Sequence, residues 1–161
     1  LRPLTNDVGR LVLPPGNKRG SATGSATLSG AMAGGFGVRK GVPKTLVYAL
    51  CTALNDRAGR DVIPRRVIDK PPSAELAPGQ LDSDSLPPYE VLDPIVEGYV
   101  EGDLSVDELI GRGHDPDLTR RVARMVDRNE YKRRQAAPGV RVSPKAFGKD
   151  RRLPITNRWP G

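Results

Sequence analysis

Between Lys70 and Tyr89 the chain reads Lys70-Pro71-Pro72-Ser73-Ala74-Glu75-Leu76 and then Asp82-Ser83-Asp84-Ser85-Leu86-Pro87-Pro88-Tyr89. Proline has no amide hydrogen and a fixed φ, so paired prolines at both ends forbid a helix or a central strand through this stretch. The acids and hydroxyls between them are too specific for a featureless linker. The run is expected to be an ordered loop, with helical elements confined to either side of it.

What remains must build a core from little. Apolar residues make up 37% of the 161, with two Phe and one Trp against 18 Gly and 16 Pro. The core is therefore expected to be thin and aliphatic, as suits a piece that leans on a larger body. No stretch approaches the roughly 18 apolar residues of a membrane span, and no signal sequence is visible, which makes a soluble, cytoplasmic protein with no membrane partner the default. Cys51 and His114 are each alone of their type, which excludes a disulfide framework and a cysteine-based metal cluster.

The net charge of +7 divides into blocks: +7 over residues 1–60, −9 over 61–115 and +9 over 116–161. A nucleic-acid binder is more often basic throughout its folded part. Alternating blocks favour pairing within the chain and an anionic small ligand, so no nucleic-acid partner is expected.

Leu11-Val12-Leu13, between Gly9 and Pro14-Pro15, has the form of a short strand buried in a parallel sheet. Residues 16–37 are rich in Gly, Ala, Ser and Thr and on their own resemble a flexible linker, because glycine costs a helix about 1 kcal/mol relative to alanine. From Pro43 the pattern predicts a helix with Leu46, Leu50 and Leu54 at fourfold spacing, backed by Val47 and by Cys51 as a small core residue, and ending between Asn55 and Gly59. Val91, Leu92, Ile95, Val96, Tyr99 and Val100 form the stripe of another helix, in which Pro94 is tolerable only near the first turn. Ser105 and Glu108 make a capping-box pattern before Leu109-Ile110, and Gly111 and Gly113 stop that helix. Asp115-Pro116 starts the next, with Leu118, Val122, Met125 and Val126 inward and Arg120, Arg121, Arg124 and Arg128 outward. His114 is placed in the turn between these two helices. Residues 136–161 carry Pro138, Pro144 and Pro154 and are expected to be extended.

The proline loop, together with Glu130-Tyr131-Lys132-Arg133-Arg134-Gln135 and the stretch from Phe147 to Trp159, closely resembles the C-terminal part of the synthetase domain of the glutamine-dependent NAD synthetases, from about Asn6 to Trp159. The resemblance implies an α/β fold, an incomplete Rossmann-like adenine-nucleotide alpha-hydrolase (PP-loop) domain whose 1–161 portion is mainly helical, with a helix within residues 16–37, one or two short strands and extended loops. It implies NAD biosynthesis by an ATP-dependent ligase. ATP adenylates the carboxylate of deamido-NAD, and ammonia, supplied in the parent by a glutaminase domain, displaces AMP to give the amide. The chain starts at Leu1 without Met and carries neither the pyrophosphate loop nor the glutaminase domain. It is therefore expected to be a fragment, inactive in isolation, of a parent that forms a homo-oligomer.

By the same resemblance, Gly16 and Lys44 contact ATP, Ser73 lies in the loop that folds over it, and Lys132 and Arg133 reach deamido-NAD. Trp159 is read as packing. The family's Thr before Gly16 is here Pro15. Of its acids that hold Mg2+ and the dinucleotide, one is replaced by Gly20 and another by Ala31. The frame persists without its carboxylates, and magnesium strongly prefers anionic oxygen. A catalytically impaired site is therefore expected, with no metal-ligating residue assignable. Two other classes compete: a non-catalytic assembly piece, and a helix-turn-helix nucleic-acid module formed by the helices at Ser105–Ile110 and after Pro116. Against the latter, the arginines run along the helix rather than clustering at its N-terminal end.

Overall fold

The computed structural model describes residues 2–28, 30, 32–70, 87–147 and 150–156, with only the backbone at 2–4. The described residues form eight helices: α1 (Arg2–Asp7), α2 (Lys18–Thr23), α3 (Lys44–Ala58), α4 (Arg65–Asp69), α5 (Tyr89–Val100), α6 (Val106–Gly111), α7 (Pro116–Arg128) and α8 (Glu130–Gln135). None is long and apolar enough to cross a membrane.

The core lies where α5, α6 and α7 meet. Leu92, Ile95, Val96 and Val100 of α5 pack with Leu109 of α6 and with Val122 and Val126 of α7. Ala22 of α2 and Phe147 complete the cluster. Here the helical periodicity holds, with Leu118 and Tyr99 partly buried against the same group, except at Val91, which the first turn of α5 leaves exposed. A Cβ on Gly98 would come within 2.7 Å of Leu109, so glycine at that position lets α5 and α6 approach closely. The caps are those expected. Ser105 and Glu108 form a complete capping box, and Asp115 accepts from the Leu118 amide at 2.7 Å, with Pro116 in the first turn.

Four expectations need correction. Leu11-Val12-Leu13 forms no strand; Leu11 and Leu13 are exposed, and the described residues hold only isolated bridges, Gly37 with Gly139 and Phe147 with Arg151. A parallel strand is stable only between paired neighbours, and Val12 finds a single one, the Gly35 amide donating to its carbonyl at 2.9 Å. The one or two short strands of the expected α/β fold are thus absent from the described residues, while its mainly helical character is present.

The second correction concerns α3. Leu46, Leu50 and Leu54 are about half exposed and Cys51 is only partly covered, because the single buried residue of α3 is Asn55. Its amide donates to the Ile63 carbonyl and its oxygen accepts from the Ile63 amide, both at 2.8 Å, which folds the α3–α4 turn back. Third, Pro94 lies in the second turn of α5, not the first; both it and Glu90, whose carbonyl loses a partner, are exposed, so water can serve that oxygen.

Fourth, composition alone makes a flexible linker of 16–37, whereas the family resemblance implies a helix in this stretch. It contains α2, five of whose six residues are buried. Small side chains are what admit it to its place, since a Cβ on Gly24 (φ 71°) would lie 1.9 Å from Asn129.

Candidate functional site

The loop before α2 is built by local rules. Asn17 is extended and its side chain accepts from the Gly20 amide at 3.1 Å, an N-cap that satisfies one of the unpaired donors of the first turn. The Lys18 amide donates to Val42 at 2.9 Å, which ties this loop to the entry of α3. Gly16 faces a shallow cleft bounded also by Ser21, Met32, Gly37, Lys40 and Ala137.

Cations crowd this region, yet several are turned inward. Lys18 is 4% exposed, ion-paired with Glu101 and within 3.5 Å of Ser143 Oγ. Burial pulls its ammonium below the ordinary lysine range, and Glu97 and Asp93 pull the other way. Lys40 donates to the Ala137 carbonyl at 3.0 Å; burial, then the nearby Arg133, lowers its pKa.

Lys44 is the first residue of α3, half-buried, with Nζ 4.8 Å from the centre of the Tyr48 ring. Beside it Asp93 accepts from Thr45, from Oγ1 at 3.0 Å and from the amide at 3.4 Å. A carboxylate thus already answers part of the positive end of α3.

Lys132 and Arg133 both reach α2. Lys132 donates to the Gly24 carbonyl. Arg133, 3% exposed, donates to the carbonyls of Ser21 and Ala22 at 3.4 and 3.1 Å and forms an ion pair with Glu130 at 2.9 Å. Gly16, Lys132 and Arg133 are therefore gathered at the two ends of one short helix. Lys44 joins them through the Lys18–Val42 bond and Asp93. Ser73, with Ala74 and Glu75, lies outside the described residues, as do Ala31 and Trp159. His114 sits in the α6–α7 turn, its amide on the Leu109 carbonyl.

Magnesium does not fit the surroundings of Gly20. The atoms a Cβ there would meet are Ala26 Cβ at 3.8 Å, Ser25 Oγ at 3.9 Å and Asn17 Oδ1 at 4.0 Å. None of these is a carboxylate, the Asn17 oxygen is already the N-cap acceptor, and among the described residues no group of three or more His, Cys, Asp or Glu could hold a metal ion, whereas a hard dication prefers anionic oxygen.

Sequence reasoning missed Glu130 and Glu101. For Glu130 a signal existed, because Arg133 and Arg134 follow at i+3 and i+4, and both pair with it. Glu101 had none; only the packing of α2 on α5 sets it against Lys18.

Comparison with known proteins bears on this arrangement. The family model described as NAD synthase matches residues 3–136. The glutamine-dependent NAD(+) synthetase of Thermotoga maritima is 52% identical over 159 residues, 99% of this chain and 28% of its own length. That of Acinetobacter baylyi is 51% identical over 156 residues, 97% of this chain and 29% of its own. A crystal structure of a glutamine-dependent NAD(+) synthetase from Cytophaga hutchinsonii shares the fold at 18% identity, with a TM-score of 0.64 over 98% of this chain and 26% of that one. The chain spans less than a third of the length of these relatives.

Proposed function

The chain belongs to the NAD synthase family, and from that premise we propose that it forms part of the nucleotide-handling wall of an ATP-dependent amidation of deamido-NAD to NAD. The observation that carries this is the match at half identity along nearly the whole chain to synthetases of that name. In this reading the fold continues an α/β PP-loop domain. Gly16 and Lys44 serve ATP, Ser73 closes over it, and the segment around Lys132 faces deamido-NAD. A glutaminase domain supplies ammonia, and the assembly is a cytoplasmic homo-oligomer.

Positioning and charge neutralisation supply most of the acceleration in such a reaction, because adenylation concentrates negative charge on phosphate and on the leaving pyrophosphate. The position of Lys44 at a helix start supports giving it that task. No step is routed through magnesium, since the residues beside Gly20 do not fit it.

Nucleotide binding without turnover is the second reading, and Gly20 favours it. A Cβ there would make only ordinary contacts, with Ala26, Ser25 and Asn17, none of them a carboxylate. A chimera separates the two. This chain would replace the matching segment of the Acinetobacter baylyi relative, with and without Gly20→Glu plus Ala31→Asp, and ammonia-dependent formation of NAD would be followed. Turnover only in the restored chimera is expected, which places this chain in the synthetase architecture with turnover lost at Gly20 and Ala31; turnover in the unrestored chimera would remove the second reading, and none is expected from the 161 residues alone. A restored chimera that folds but stays inactive while the parent enzyme works would sink the synthetase reading.

A further inference from the structure

The last four carbonyls of a helix have no partner within it. At the end of α2 four consecutive carbonyl oxygens are taken by side chains from one short stretch of another part of the chain. Arg133 serves Ser21 and Ala22, Asn129 serves Thr23 at 2.9 Å, and Lys132 serves Gly24. This is a C-cap supplied from the α7–α8 junction.

Arg133 is its centre, and it has nothing to spare. Nε and Nη2 donate to Glu130 Oε2 at 3.2 and 2.9 Å, Nη2 also to the Val126 carbonyl, and Nη1 to the two α2 carbonyls. A guanidinium has five N–H donors, and all five are used. Its carbon stands 4.9 Å from the centre of the Phe147 ring.

A six-residue helix containing Gly20 and Ser21 cannot hold itself together, since isolated helices shorter than about 12 residues are marginal even in alanine-rich sequences. Its caps therefore decide whether it exists, and the loop at its N-terminal end carries Gly16 and Asn17. We propose that Arg133 is a positioning residue for the nucleotide site: it fixes α2, and through α2 the Gly16-Asn17 loop, without touching substrate. The inference rests on the reading of this region as an ATP site, and it moves Arg133 from ligand contact to support.

The test compares two changes that reach the cap from opposite sides in the 161-residue chain. Arg133→Met removes the donor; a companion Arg133→Met with Glu130→Gln avoids leaving the buried carboxylate to Arg134 alone. Gly24→Ala leaves Arg133 untouched but drives a Cβ into Asn129 at a φ of 71°. Amide exchange across residues 18–25 should rise at least about tenfold in each, with the amides of 92–100 and 122–126 still protected. ATP affinity should fall by similar factors in both and no further when they are combined. Arg133→Lys should resemble Arg133→Met, because an ammonium cannot serve two carbonyls and a carboxylate as the planar fork does.

Loss of ATP binding in Arg133→Met with α2 exchange unchanged, or full ATP affinity in Arg133→Lys, would assign Arg133 to the ligand and overturn the proposal. Failure of the unsubstituted chain to bind ATP would sink the functional reading instead. The exchange comparison would still decide the role of Arg133, because unchanged exchange in Arg133→Met refutes it.

Discussion

Tyr99 shows how one buried polar group ties stability to pH. Its hydroxyl donates to Asp127 Oδ2 at 2.8 Å, while Arg151 lies over its ring, 4.4 Å from the centre. Burial, with the Asp127 carboxylate adding to it, raises the phenol above its ordinary value of 10.0. The folded state thus keeps a proton that the unfolded chain loses. The resulting stabilisation is complete below about pH 10 and is lost as pH rises through the folded-state value. Urea unfolding from pH 8 to 11.5 should show the native chain losing stability more steeply than Tyr99→Phe, and ultraviolet titration should find one of the four tyrosines ionising late. Parallel pH profiles for the two proteins would contradict this account.

At the scale of the element, α3 and α5 carry similar apolar spacing and meet opposite fates. Leu92 is fully buried in the core cluster, while Leu50 is 53% exposed. Removing buried leucine atoms forfeits transfer free energy and leaves a cavity. Leu92→Ala should cost about 2–5 kcal/mol. Leu50→Ala should change stability by no more than about 0.5 kcal/mol, as at ordinary surface positions. Denaturant midpoints of the two variants measure the contrast. Equal losses would mean that the α3 stripe is covered in solution. The sequence could not separate the two helices because periodicity reports that a helix has an apolar face, not whether anything packs against it.

The whole molecule keeps its charges in blocks, and among the described residues two ion pairs cross between them. Lys18 meets Glu101 and Lys145 meets Asp103, both joining basic segments to the acidic middle. Arg120, Arg121, Arg124 and Arg128 remain on the exposed face of α7, beside a capped turn that mimics a helix-turn-helix. Without base-reading groups at the start of α7, attraction to DNA should be that of counterion release alone. Duplex DNA should therefore bind with a dissociation constant of about 1 μM or weaker at physiological salt and weaken further as salt is raised. Nanomolar, sequence-specific binding in a fluorescence titration would overturn the metabolic reading of this chain.

Local chemistry was readable without coordinates. The α6 capping box, the Asp115-Pro116 start of α7, the inward stripes of α5 and α7 apart from Val91, which is exposed, and the glycine stops all depend on residues within a turn or two of one another, and each stands where the sequence predicts it. Tertiary structure alone decided the rest. Among the described residues it left Leu11-Val12-Leu13 without strand neighbours, exposed the leucines of α3, and formed at Lys18–Thr23 a helix that composition alone does not give and only the family resemblance implies. It also committed Arg133 and Lys132 to carbonyls more than a hundred residues away in sequence. The reason is physical. Capping and periodicity are paid in local backbone geometry, whereas burial and the partners of a long cation depend on which surfaces the folded chain brings together.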